Sequence, residues 1–336
     1  MSKSFRPNLQ SSLESFVIAK SPNSIVASFL LKLVLKHAEN KKRPFIASIN
    51  IVNRCNLFCA GCYWTKTERN QERQELSIEA EIQVIQKLWM QGVRQFLFLG
   101  GEPMTEREKV ESCVKEVARL GGISTVITNG TYGLPAIKEW PRTHFFVSCD
   151  GDRLGMDRVR GFDMMHKTNV YEQIKKVALN RRDVMLAMTI SKLNVDRIEA
   201  FVREAATWNI GGVVFSFATP NVGDKQSFYL STSAKEKAVQ DILQLKKEFK
   251  NFIAMGTRAI ELLRPSEVAI WSPNCPTFAA LSIRADGEQI ERCIFGPEGD
   301  CSRCGCNIST SFVALREGDR ETARFVTIPA KVANIL

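Results

Sequence analysis

The sequence predicts an α/β fold on a parallel sheet, arranged either as an incomplete (β/α)6 barrel or as an open doubly wound sheet. Between residues 45 and 217, short apolar segments rich in β-branched residues alternate with amphipathic helical segments, the pattern of successive βα units. Six such strands are too few for an eight-fold barrel. Polar and Gly-rich residues follow the same end of five of these strands, the end that carries the active site in both architectures.

The first strand is expected at residues 45–52, which alternate and hold four β-branched or aromatic residues, Phe45, Ile46, Ile49 and Ile51, before Val52. A helix follows over 77–90, with Ile78, Ile82, Ile85, Leu88 and Trp89 on one face and Ser77 as N-cap. Further strands are expected at 96–99, 125–128, 145–149, 184–190 and 213–217. Helices separate or follow them at 105–120, 170–179, 196–208 and 233–249, and only the stretch after Thr128 is short and weakly helical. At the strand ends stand Cys55 to Cys62, then Gly100-Gly101-Glu102-Pro103, Thr128-Asn129-Gly130, Ser148 with Asp150-Gly151, and Ser191 with Asn194.

The chain has 336 residues, 44% apolar and 24% charged, which excludes disorder as its main state. Lys and Arg outnumber Asp and Glu by 46 to 36, a net charge of +10 that favours acidic partners without choosing among an electron carrier, an anionic cofactor, a membrane surface or nucleic acid. No basic start followed by an apolar stretch and a cleavage site begins the sequence, so a cytoplasmic location is expected. In a reducing compartment clustered cysteines bind metal or do redox chemistry. The ten cysteines form a C-x3-C-x2-C run, Cys55, Cys59 and Cys62, a second group of Cys275, Cys293, Cys301, Cys304 and Cys306, and two isolated residues, Cys113 and Cys149, in apolar surroundings. Three thiolates suit a [4Fe–4S] cluster with one open iron. A structural zinc site closes with four ligands, and no His or fourth Cys lies near the run.

The second group surrounds a strand at 278–284 and the hairpin turn Ala285-Asp286-Gly287. A hairpin that brings two cysteines close, followed by C-x2-C-x-C, makes one four-thiolate site with one thiol spare, for a second Fe–S cluster or for zinc. At the other terminus residues 24–37 hold Ile25, Val26, Phe29, Leu30, Leu31, Leu33, Val34 and Leu35, broken by Lys32 and Lys36. This arm is shorter than the roughly 20 apolar residues of a bilayer span. It is expected either to pack across an open barrel edge or to lie on a membrane, where Lys41-Lys42-Arg43 would suit anionic lipid.

Cys55, Cys59 and Cys62, with Gly100-Gly101-Glu102-Pro103 one βα unit later, resemble the radical S-adenosylmethionine (SAM) superfamily over residues 45–217. The resemblance implies a partial (β/α)6 TIM barrel and a [4Fe–4S] cluster on Cys55, Cys59 and Cys62, whose open iron is chelated by the amino and carboxylate groups of SAM. Gly100, Gly101, Glu102 and Pro103 would receive the methionine amino group, and Asn129, Ser148, Ser191 and Asn194 match positions that bond the ribose or carboxylate. The residue before the third cysteine is often aromatic in this family and covers the adenine. Here it is Gly61, so Tyr63 is expected to take over that packing. The implied activity is one-electron cleavage of SAM to a 5′-deoxyadenosyl radical, with flavodoxin or ferredoxin as the electron donor.

Residues 271–307 resemble the twitch or SPASM extensions of radical SAM enzymes, though Gly287 to Cys293 is one residue longer than the usual spacing. One auxiliary cluster is implied, on Cys275, Cys293, Cys301 and either Cys304 or Cys306. The stretch from Trp271 to Cys275 and the terminal cysteines are also loosely similar to radical SAM enzymes of hopanoid-lipid synthesis that transfer adenosyl groups. Asp150-Gly151, Asp157 and Arg160-Gly161 match a segment of that broader group. The expected organisation is a helical arm at 1–44, a radical SAM partial barrel at 45–250 and a Cys-rich auxiliary extension at 251–336. The first expected function is hydrogen abstraction or radical C–C bond formation on an organic substrate, an apolar lipid or isoprenoid, with peptide modification as the alternative. A non-catalytic zinc or Fe–S module that binds nucleic acid is the reading from another class. It leaves Gly100 to Pro103 without a purpose, and the sequence has no nucleic-acid motif.

Overall fold

In the computed structural model, which describes residues 32–33, 36, 39–41, 43–64, 74–225 and 228–326, the alternating pattern becomes a single sheet of eight strands. The strands in chain order are β1 (Ile46–Val52), β2 (Gln95–Gly100), β3 (Ile123–Thr128), β4 (Thr143–Ser148), a separate two-stranded ribbon of β5 (Phe162–Asp163) and β6 (Thr168–Asn169), then β7 (Val184–Ile190), β8 (Gly212–Phe217), β9 (Ala280–Ile283) and β10 (Gln289–Ile290). The sheet runs β10-β9-β1-β2-β3-β4-β7-β8. Every pair in it is parallel except β9 with β10, the hairpin expected at Asp286. β9 pairs with β1, so the Cys-rich extension adds its strands to the barrel sheet. The ribbon has no counterpart in the sequence reading, because two-residue strands are too short to show a period.

Helices α1 (Ile78–Gln91), α2 (Arg107–Leu120), α3 (Arg153–Val159), α4 (Val170–Ala178), α5 (Ile198–Ala205) and α6 (Thr232–Phe249) follow the strands; all but α3 are expected from the periodicity, and turns alone join β3 to β4, where the sequence suggests a weakly helical stretch. Ser77 caps α1 by accepting from the Ala80 amide, and Gly92 ends it in a left-handed conformation, φ 118°. Side chains alternate across the strands. Ala47, Ile49 and Ile51 of β1 and Phe96 and Phe98 of β2 face the main core, where they meet Ile85, Val114, Ile174, Phe201 and Ile242 from α1, α2, α4, α5 and α6. All five helices therefore lie on one face, as in a barrel and unlike a doubly wound sheet. Cys113 and Cys149 are fully buried in this core.

Ile46, Leu97 and Leu99 turn to the other face, where they meet Phe312 and Leu315. These belong to α9 (Asn307–Glu317), which with α10 (Arg320–Val326) follows two short helices, α7 (Thr257–Glu261) and α8 (Pro265–Trp271). A cavity of about 110 Å3 remains between α9, α10 and the strands, lined by Ile46, Leu97, Phe146, Met185, Phe312 and Phe325. Of the expected apolar arm, only Lys32, Leu33 and Lys36 are among the described residues, and they are helical. Among the described residues no helix is long and apolar enough to cross a membrane.

One buried ion pair fixes the exit of β1. Lys109 on α2 donates to the carbonyls of Ile51 at 3.0 Å and Leu76 at 2.7 Å, and its ammonium lies 3.5 Å from the Glu81 carboxylate on α1. Both side chains are buried. Burial pushes the Glu81 carboxyl up to about 7, against the pull of Lys109. A group whose folded pKa lies above its unfolded value stabilises the fold most at low pH. Stability should therefore fall as pH rises from 4.5 to about 7, and Glu81→Gln should flatten that slope when unfolding is followed by denaturant titration across the range.

Candidate active site

The loop that leaves β1 is held against the turn that leaves β2. Gly101 donates its amide to the Val52 carbonyl and Glu102 donates to the Arg54 carbonyl, both at 2.9 Å. Gly100 has φ +136°, and a Cβ there would lie 2.5 Å from the Val52 oxygen; a Cβ on Gly101 would lie 2.0 Å from the Arg54 oxygen. Only glycine permits such an approach at both positions. The Glu102 side chain, 1% exposed, then ties β2 to β3. It accepts from the Met104 amide at 3.0 Å, the Thr128 hydroxyl at 2.6 Å and the Asn129 amide at 2.6 Å. Burial pushes its carboxyl up, and these three donors oppose the shift.

Asn129 carries the connection back to the cysteine loop. Its side-chain Nδ2 donates to Asn56 Oδ1 at 2.9 Å and lies 4.0 Å from Cys55 Sγ. Asn56 in turn donates to Thr131 at 2.9 Å and to Asp163 of β5 at 2.7 Å. Asp163 also binds the His166 ring at 2.6 Å, so the small ribbon is locked to the loop between Cys55 and Cys59. Neither Asn56 nor the Asp163–His166 pair was found from the sequence, since nothing local marks residues that meet only across the fold.

The three thiols of Cys55, Cys59 and Cys62 lie close enough that each of the other two, with Asp150, raises the Cys59 pKa. Burial is the main cause and brings it to about 11, while the Arg160 guanidinium opposes it. Arg160 reaches Cys59 Sγ at 3.6 Å and donates to Asp150 at 2.7 Å. Burial works against its charge, but Asp150 and the thiols of Cys59 and Cys62 outweigh burial and hold its pKa above the usual value. Asp150 also accepts from the Thr189 amide at 2.8 Å. Asn194 donates to the carbonyls of Asp150 at 2.9 Å and Thr189 at 3.0 Å, and accepts from the Ser191 amide at 2.8 Å. Ser191 and Asn194, both fully buried, thus spend their polar atoms on joining the ends of β4 and β7. Ser148 ends β4 at the same rim.

The second cysteine group reaches this rim through Gly305. Phe217, the last residue of β8, donates to the Gly305 carbonyl at 2.9 Å, and Gly305 donates to the Thr219 hydroxyl at 2.9 Å. A Cβ on Gly305 would lie 2.1 Å from the Phe217 oxygen, so the residue between Cys304 and Cys306 must be glycine. Burial pushes the Cys275 thiol up to about 11, with Cys306, Cys293 and Cys301 adding to the rise and Ser309 opposing it. Cys293 is raised by burial and by Cys306 and Cys301. Cys304 is packed instead among Ala259, Leu262, Val268, Trp271, Val313 and Ala314, with Cys275 and Cys306 at the margin. Among the described residues no three Cys, His, Asp or Glu converge as a single metal ion requires; thiols that bind separate irons of one cluster need not do so. Tyr63, next to Cys62, meets Phe295, two residues from Cys293, edge-on at 5.7 Å. An aromatic contact therefore joins the residue after Cys62 to the segment that carries Cys293.

Residues 49–190 match the profile of the radical SAM superfamily. The chain is 28% identical over 176 residues to the sporulation killing factor maturation protein SkfB of Bacillus subtilis, covering 51% of this chain and 42% of that protein. It is 28% identical over 159 residues to the PqqA peptide cyclase of Bradyrhizobium diazoefficiens, covering 46% of this chain and 40% of that one. The chain thus spans less than half the length of these curated relatives. Its fold is similar to that of SuiB from Streptococcus suis bound to S-adenosylmethionine, with a TM-score of 0.60 at 13% identity over 77% of this chain and 63% of that one.

The close approach at Gly101 makes a direct prediction. Because the obstructing atom is a backbone oxygen, Gly101→Ala forces the two turns apart and should cost about 1–3 kcal/mol of stability. The unfolding midpoint in denaturant measures the loss.

Proposed function

We propose, from the premise that residues 49–190 are a domain of the radical SAM superfamily, that the chain is a radical SAM enzyme that modifies a peptide and carries one auxiliary Fe–S cluster. The observation that carries this reading is the gathering of Cys55, Cys59 and Cys62 at the exit of β1, beside the glycine turn of β2 and the Arg160 guanidinium. Three thiols from one loop fit a [4Fe–4S] cluster with one open iron better than a closed zinc site. When bound, the cluster and SAM supply one-electron reductive cleavage and hydrogen abstraction from the substrate.

In this reading the chain's own residues bind, orient and exclude water. Gly100, Gly101 and Pro103 present backbone to the methionine end of SAM. Glu102 has used three of the roughly four lone-pair sites of a carboxylate and offers the remaining one to the amino group. Asn129 and Ser148 face the same rim, whereas Ser191 and Asn194 hold the strand ends that carry them. Tyr63 stands between the two cysteine groups and lines the approach to the cofactor. The fully charged Arg160 steadies the ligating thiolate of Cys59.

The auxiliary cluster is assigned to Cys275, Cys293, Cys301 and Cys306. What supports this choice is packing: Cys304 also lies near Cys306 and Cys275, but its thiol is buried in the apolar cluster of α8 and α9, whereas Cys275 and Cys306 stand at that cluster's margin. What supports a peptide over the apolar lipid of the sequence-based expectation is the relatives' own names, a peptide cyclase and a maturation protein. The net charge of +10 suits an acidic flavodoxin or ferredoxin as the electron donor.

Anaerobically reconstituted protein given SAM and dithionite should release 5′-deoxyadenosine, and Cys59→Ala should abolish the release. Continued release by that variant would remove the loop from the reading. Iron should amount to about eight per chain, as two [4Fe–4S] clusters require. Cys306→Ala should lower it to about four whereas Cys304→Ala should leave it unchanged; equal losses would overturn the assignment of the fourth ligand.

A further inference from the structure

Gly61 lies between Cys59 and Cys62 with φ +68°, and a Cβ there would meet the Phe228 ring at 2.2, 2.3 and 2.5 Å. The aromatic ring therefore sits directly on the Gly61 backbone, in space that any side chain at position 61 would occupy. Phe228 comes from the connection after β8, far from the cysteine loop in sequence. Its backbone and its ring each have a partner. The Phe228 carbonyl accepts from the Lys192 amide at 2.9 Å, at the exit of β7. The ring packs edge-on against Tyr229 at 5.5 Å, and the Arg303 guanidinium lies 5.7 Å from the Tyr229 ring.

The same connection is stitched to the second cysteine group. Asp300 donates to the Pro220 carbonyl and Val222 to the Glu298 carbonyl, both at 2.8 Å. Gly305 donates to Thr219 at 2.9 Å, and Arg303 donates to the Asp224 carbonyl at 3.4 Å. Contacts thus lead from residues 298–305, through residues 217–225 and then Tyr229, whose hydroxyl donates to Asp224 at 3.2 Å, to Phe228 and the one glycine between the second and third thiols of the first group.

We propose that Phe228 is a positioning residue for the cysteine loop 55–62, and that through it the segment 298–305 sets the placement of the third thiol. This rests on the reading of Cys55, Cys59 and Cys62 as cluster ligands. The physical basis is steric. Gly61 leaves a hole in the loop, Phe228 fills it, and removal of the ring frees a left-handed glycine that has no side chain of its own to restrain it. A residue that orients a ligand from outside the coordination shell changes affinity at the metal without touching it.

The test uses the full chain with reconstituted iron and sulfide. Phe228→Ala should keep the wild-type iron content and bind SAM about 10–100-fold more weakly, the scale of a lost orienting partner. Binding is read from the change that SAM makes in the electron paramagnetic resonance signal of the reduced cluster. Phe228→Leu, which keeps apolar bulk, should recover most of the affinity. Gly61→Ala should weaken binding in wild type and weaken it much less in the Phe228→Ala background, because the atoms it would strike are gone. Wild-type affinity in Phe228→Ala, or full additivity of the two changes, overturns the inference. Failure of the underlying reading looks different: Cys59→Ala would then keep the SAM-sensitive signal whatever stands at position 228.

Discussion

The site depends on one close approach of backbone to backbone. The turn after β2 donates its Gly101 and Glu102 amides to the carbonyls of Val52 and Arg54, two of the three residues before Cys55. No side chain fits between them. This contact decides where the cysteine loop begins, and each later connection extends from it. Glu102 carries the link from β2 to Thr128 and Asn129, and Asn129 carries it back to Asn56 inside the cysteine loop. Desolvating the carboxylate of Glu102 is costly, and its three internal hydrogen bonds offset that cost. The buried pair of Lys109 and Glu81 acts in the same place from below, holding the Ile51 carbonyl before the loop starts.

A second consequence of the fold is that the segment Cys304–Cys306 of the second cysteine group, more than 200 residues from the first group in sequence, reaches the C-terminal rim of the same sheet. The pairing of β9 with β1 brings the hairpin alongside the first strand. Gly305 then docks on the end of β8, at the far edge of the sheet. The cysteine-rich segment therefore spans the open side of the barrel from β9 to β8. Tyr63 with Phe295, and Gly61 with Phe228, are the points where it and its neighbouring connection reach the first group. A reactive centre that must exclude water gains from such a cover. α9 and α10, next in the chain, fill the concave face beneath it.

Much of this was readable in advance. The six central strands were found within a residue or two of their ends, because a strand buried on both faces is a plain apolar run and its helices keep a clear 3.6-residue period. The glycine turn was marked by its own composition, and the thiols by their spacing. The ribbon of β5 and β6 was missed, being too short to carry a period. Helices α9 and α10 have no counterpart in the sequence reading: α9 opens on the largely polar run from Asn307 to Ser311 and α10 is seven residues long, so neither carries a sustained apolar stripe. The choice between lipid and peptide substrates was not readable either: the apolar arm that suggested lipid lies almost wholly outside the described residues, and one curated relative is by name a peptide cyclase.

By itself the sequence determined which residues have the chemistry: three thiols at fixed spacing, a glycine pair that must approach a ligand or a backbone, and a second cysteine group after a hairpin. Spacing and residue type are local, so they survive without coordinates. Tertiary structure alone decided the partners. It placed Arg160 and Asp150 against Cys59, closed the carboxylate of Glu102 on Thr128 and Asn129, buried Cys304 in an apolar cluster with Cys275 and Cys306 at its margin, and set Phe228 on Gly61. Each of these contacts joins segments whose distance along the chain carries no signal. They are fixed by the register of a parallel sheet, whose strands bring their C-terminal ends to a common edge.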